Sequence, residues 1–151
     1  MPFNIKATLE AVQNHLLKGA YLKKVQIGEP KAPPSEPLAA ALFMNRVGIV
    51  LIFAGGDTRE SHVVTLRVYR DMLAEPQESI ELDLALAVSD LSSDLLGEFD
   101  LGATIMSIDA AGAHGTPYGA EWGYVDVGGR MYRIVDVTIP LIVDGSATMV
   151  P

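Results

Sequence analysis

The chain has 151 residues, of which 49% are apolar and 20% charged, with a mean hydropathy of +0.26 and a formal charge of −8. A chain of this length buries roughly two-thirds of its unfolded surface, so it can build one domain with a real core and is not a disordered tail. The absence of cysteine excludes disulfides, thiolate metal sites and cysteine nucleophiles, and a pI of about 4.7 argues against a grip on nucleic acid.

The first residues, MPFNIKATLE, lack a charged stretch followed by an apolar one, so no secretory signal is expected. Residues 4–18 read as an amphipathic helix. Asn4 is its N-cap, Ile5, Leu9, Val12 and Leu16 recur on one face, and Gly19 stops it. Tyr21 to Ile27 reads as a short strand. Four prolines follow in the eight residues from Pro30 to Pro37, which gives an extended strap rather than a domain linker.

Leu38–Asn45 and Val47–Phe53 read as strand material. Val47 to Ala54 is the longest apolar run and is far too short to span a bilayer, so no membrane partner is expected. Gly55-Gly56-Asp57 marks a turn. Ser61–Arg70 alternates clearly: His62, Val64, Leu66 and Val68 face one way, and Val63, Thr65, Arg67 and Tyr69 the other. Residues 76–96 read as a second helix, opened by Pro76, with Glu75, Glu78 and Glu81 at its positive end and Gly97 after it. Ile80, Leu84, Val88, Leu91 and Leu95 form its main stripe. Leu82 and Leu86 fall on the opposite side, beside Ala85, and Asp83, Asp90 and Asp94 line a flank. That second apolar face is covered either by a loop or the strap, or by a neighbouring subunit. Leu101–Ile108 reads as a strand, and a loop with Gly112, Gly115 and Gly119 follows. Glu121–Val127 and Arg130–Ile142 then form a hairpin about Gly128-Gly129. Trp122 and Tyr124 at its start either pack on the sheet or make an interface contact. The element order predicts a single-domain α+β fold, with two helices packed on a mixed or mostly antiparallel sheet.

Charge is unevenly spread. Residues 1–70 carry nine bases and five acids, a net of +4. Residues 71–129 carry twelve acids and no Lys or Arg, a net of −12. Either the acidic block is a solvated face, or the subunit has opposed flanks that pair head to tail into a ring.

The search for chemistry is mostly negative. His15, His62 and His114 are widely spaced and show no metal-ligand pattern. Ser61-His62 and Asp109 with His114 suggest a hydrolytic triad only weakly, since no GxSxG elbow is present. The glycine-rich loop leads into Pro117 and a strand, not a helix, so it does not fit a phosphate cradle. No catalytic residue, metal or cofactor is expected.

Several segments recur in a familiar order. They are Glu29-Pro30-Lys31-Ala32-Pro33, Arg67-Val68-Tyr69, Glu75-Pro76, Leu101-Gly102, and Ile108-Asp109 with Gly112 and Gly115. Gly123-Tyr124, Tyr132-Arg133-Ile134 and Val137-Thr138-Ile139-Pro140-Leu141-Ile142-Val143-Asp144 follow. With these the chain resembles the tail terminator proteins of long-tailed actinobacterial phages, related in type to the lambda tail terminator. The resemblance implies a structural virion protein of the tail neck, assembled in the host cytoplasm. It implies a homohexameric ring that caps the head-proximal end of the tail tube and joins the head-completion or connector protein. The major tail tube protein would be its other partner, and genomic DNA would pass through the lumen without specific binding.

On this reading Leu82, Asp83, Leu86, Asp90 and Asp94 are expected at a subunit interface. Gly55, Gly56, Asp57, Arg59, His114, Tyr118 and Trp122 are expected in loops that touch tube or connector. The alternatives are another connector or tube-like subunit, or a small α+β enzyme or ligand-binding domain.

Overall fold

Asn4 opens the first helix in the computed structural model, which describes residues 4–18, 22, 24–31, 34, 38–73, 76–97 and 107–148. Its Oδ1 accepts the Ala7 N–H at 3.3 Å, an N-cap that satisfies one of the helix's free donors. Helix α1 (Ile5–Lys18) buries Thr8, Val12 and Leu16, and Leu9 packs at the core margin. Gly19 and Tyr21 lie outside the described residues.

Six strands occupy five positions in one open sheet. They are β1 (Val25–Ile27), β2 (Leu38–Ile52), β3 (Asp57–Asp71), β4 (Ser107–Ile108), β5 (Gly119–Val127) and β6 (Arg130–Thr148). The order is β1-β2-β3-β6, and both β4 and β5 pair with the far edge of β6. β1 runs parallel to β2, and every other pair is antiparallel. A parallel neighbour demands a crossover, and the chain makes it between Ile27 and Leu38. With helix α2 (Ser79–Gly97) this is the expected α+β fold with a mixed sheet.

Several element boundaries differ from the sequence reading; β3 starts at Asp57 rather than Ser61, and β6 runs on to Thr148 past Ile142. Residues 38–52 form one strand, not two, because bulges at Asn45 and Val50 absorb the breaks in alternation. The second helix begins at Ser79 because the Ser79 N–H and hydroxyl both bond the Pro76 carbonyl, at 3.0 and 2.7 Å, closing a turn before it. β4 is described only at Ser107–Ile108; the rest of the expected strand, 101–106, lies outside the described residues. The β5–β6 turn matches expectation. Gly128 and Gly129 have φ of 58° and 85°, the paired positive values that a tight two-residue hairpin turn requires.

Both helices lie on one face of the sheet. There Leu42 of β2, Val64, Leu66 and Val68 of β3, and Val135, Val137, Ile139 and Leu141 of β6 merge with Val12 and Leu16 of α1. Leu84, Ala87, Leu91 and Leu95 of α2 complete the main core. Each such side chain removed from water contributes about 1.5–3 kcal/mol. β3 is central and buried on both faces, so Val63, Thr65 and Tyr69 are enclosed as well. On the opposite face Tyr69, Tyr132, Ile134, Ala39, Ala41 and Val127 form a second, smaller cluster. Tyr69 and Tyr132 meet edge to face at 5.9 Å. The Tyr132 hydroxyl donates to the Pro34 carbonyl at 3.4 Å, so Pro34 lies on this face. No helix among the described residues is long and apolar enough to cross a membrane.

Candidate assembly surfaces

Strand order converts the linear charge blocks into a spatial division. α1 packs over β1, β2 and β3, all from residues 1–70, while α2 packs over β3 and β6. β4 and β5 occupy the far edge of β6. The basic block therefore makes one flank of the molecule, and the described part of the acidic block makes the other.

Along the seam the charges are spent internally. Arg70 Nε donates to Asp83 at 2.9 Å, and Arg133 Nε donates to Glu81 at 2.6 Å, pinning the start of α2 to β3 and β6. Arg67 makes a two-pronged pair with Asp136 at 2.7 and 3.0 Å and lies 5.5 Å from the Phe43 ring centre. That hydrogen-bonded carboxylate raises the Arg67 pKa above its ordinary value, against a smaller opposing effect of burial. Away from the seam, Asp90 and Asp94 of α2 and Glu121 of β5 are exposed on the acidic side. Lys18, Lys24, Lys31 and Arg46 are exposed on the basic side.

The outer face of α2 is bare among the described residues. Leu82 is 59% and Leu86 62% exposed, and Ala85 beside them is exposed too. Asp90 and Asp94 stand on the flank of that face, free of ion pairs among the described residues. Asp83, expected with them, is bound to Arg70 of the same chain and is partly exposed.

The expected contact loops fall at two places. Gly55, Gly56 and Asp57 form the tip of the β2–β3 hairpin, where the Phe53 N–H bonds the Asp57 carbonyl at 2.8 Å. Arg59 behind the tip is anchored, its Nε 2.7 Å from Asp144 and its guanidinium 5.2 Å from the Phe53 ring centre. The second loop runs between β4 and β5. Asp109 organises it by accepting the N–H groups of Ala113 and His114, each at 2.9 Å. Its carboxylate thus holds the loop backbone and does not orient the exposed His114 ring. Gly112 has φ of 75°, and a Cβ there would fall 2.8 Å from the Pro117 nitrogen, so only glycine fits. Tyr118 is tied down: its hydroxyl meets Ser92 of α2 at 2.6 Å, and burial raises its pKa. Trp122 pairs with Val135 and Tyr124 with Arg133, on the side of the sheet that carries α2. Both rings are partly exposed, and Arg133 lies 4.5 Å from the centre of the Tyr124 ring.

Two features escaped the sequence reading. One is a buried polar chain. Thr8 Oγ1 and His62 Nδ1 are hydrogen-bonded at 2.8 Å, and His62 Nε2 meets the Glu60 carboxylate at 3.3 Å. The Thr58 hydroxyl donates to the other Glu60 oxygen. A neutral ring that donates from Nε2 to Glu60 leaves Nδ1 to accept from Thr8. Burial lowers the His62 pKa, and Glu60 offsets part of that shift. All four side chains are enclosed, so the chain fastens α1 to β3. Glu60 and His62 share the helix-side face with Val64, and the two-residue alternation carried that signal. The second feature is the apolar outer half of β2, where Ile49, Leu51, Ile52 and Phe53 are exposed. No group of three or more His, Asp or Glu that could hold a metal occurs among the described residues.

No protein-family model matches the chain, and no curated protein matches it. Among solved structures it is similar to the sheath/tube terminator, in the extended state, of an extracellular contractile injection system, PVC. The identity is 15% and the TM-score 0.44, over 98% of this chain and 60% of that one. This chain thus spans about three-fifths of that protein's length.

Proposed function

We propose that this protein is a ring-forming tail terminator that acts by assembly. The observation that carries the reading is the division of the molecule into a basic and an acidic flank on opposite sides of one sheet. A subunit built so can associate head to tail, and a head-to-tail contact whose rotation closes makes a ring. The ordered segments shared with phage tail terminators add the job: six copies cap the head-proximal end of the tail tube and meet the head-completion protein. Leu82, Leu86, Asp90 and Asp94 then lie at the subunit interface. The hairpin tip at Gly55–Asp57 and the loop that presents His114 then face tube or connector. Acidic groups on a ring wall repel phosphate and let DNA slide through without sticking.

The test is the absolute mass of the purified protein across salt and concentration, joined to a capping assay with polymerising tail-tube protein. Closed hexamers, or tubes that stop growing once the protein is added, support the reading. Open filaments assign it instead to a tube-like subunit. A monomer that leaves tube length unchanged overturns it.

A further inference from the structure

β1 covers β2 only as far as Leu42. From Phe43 to Ile52 the outer edge of β2 has no strand partner among the described residues. This stretch contains Val47-Gly48-Ile49-Val50-Leu51-Ile52, without a polar side chain. An unbroken apolar run is the pattern of a strand buried on both faces. Yet Ile49 and Ile52, opposite Glu60 and Thr58, are 43% and 51% exposed on the helix side, and Leu51, opposite Arg59, is 43% exposed on the other. A bare apolar edge of this length is an aggregation hazard unless something covers it. The bulges at Asn45 and Val50 interrupt the ladder, which favours cover by side chains over addition of another strand.

We infer that the outer half of β2 is the docking surface for the α2 face of a second copy, with Ile49 and Ile52 seated against Leu82 and Leu86. This rests on the reading of the chain as a head-to-tail ring subunit, and it names the contact. Charge selects the pairing. Arg46 is the sole charge on β2; it is exposed and in no ion pair among the described residues. Asp90 and Asp94, equally unpaired, flank the two leucines. Joining like patches would oppose arginine to arginine or aspartate to aspartate, whereas joining unlike patches satisfies both. The outer half of β2 is an edge of the sheet, whereas α2 packs over β3 and β6 with Leu82 and Leu86 turned outward, so the contact is made between copies.

The chain has no cysteine, so an introduced thiol is unique. Ile49→Cys and Leu86→Cys proteins are treated with a short bis-maleimide, separately and mixed, with and without tail tubes. Neither variant alone should yield a covalent dimer, the mixture should yield a one-to-one dimer, and the double variant a ladder of multimers. Arg46→Glu should cut the mixed yield several-fold, and Asp90→Lys with Asp94→Lys in the partner should restore it. Dimers of Ile49→Cys alone would overturn the inference, as would an uncrosslinked mixture. Ile52→Cys repeats the test should Ile49→Cys fail to fold. Capping by the double variant without any cross-link would remove this contact and leave the proposed function standing.

Discussion

The two halves of β2 have nearly the same chemistry and opposite fates. Leu38 to Leu42 is apolar, lies beneath α1 and beside β1, and is almost wholly buried. Val47 to Ile52 is as apolar, on the same strand, and is left open to water. Apolar content therefore decides that a strand will form, while the elements that topology brings over it decide whether the strand is core or contact surface. The outer side of α2 repeats the lesson within one helix: Leu84 is buried, and Leu82 and Leu86 are not.

The contrast can be broken most forcefully from the buried side. Leu66→Ala, at the centre of the core, should cost about 2–5 kcal/mol through lost burial and a residual cavity, read as a lowered urea midpoint. Next comes the polar chain under α1. Thr8→Val keeps the shape but removes the donor to His62 Nδ1, and should cost about 1–3 kcal/mol. The same chain sets a pH dependence. Since burial holds His62 below its ordinary value of 6.5, the unfolded chain takes up the proton first as pH falls. Stability contributed by neutral His62 is complete above 6.5 and is lost as pH drops through the lower folded value. His62→Gln should therefore flatten the fall in stability between about pH 7 and pH 5.

A double-mutant cycle on Arg67 and Asp136 should give a coupling at or above the top of the ~0.2–1 kcal/mol range of exposed pairs. Both groups are partly enclosed and joined by two hydrogen bonds. The smallest effect belongs to the bare surfaces. Leu51→Ser and Leu86→Ser should each leave monomer stability within about 0.5 kcal/mol. A large loss at either position would mean that another part of the same chain already covers it.

Much of the fold was legible from residue spacing. Val64, Leu66 and Val68 announced β3, Asn4 announced the start of α1, and Gly128-Gly129 announced the tight hairpin. The bulges were not legible, because alternation simply breaks at Asn45 and nothing local says whether the strand ends or skips a residue. The charge blocks were visible in the sequence, but their separation onto two flanks depends on β6 returning beside β3. The exposed leucines of α2 were predicted as a second face. That they stand exposed among the described residues, with Pro34 bonded to Tyr132 on the other face, was not legible from spacing.

The pairing of β3 with β6 also bears on how the chain finds its shape. Arg67 and Asp136 are separated by 69 positions, and Arg59 and Asp144 by 85. The β2–β3 hairpin can form as soon as its own turn is made, but its middle strand stays half naked until the distant partner arrives. Loop closure on that scale is slow. The hairpin must wait with its greasiest edge in the open, so crowding of unfinished chains, more than weakness of the finished one, should limit how much of this protein can be recovered.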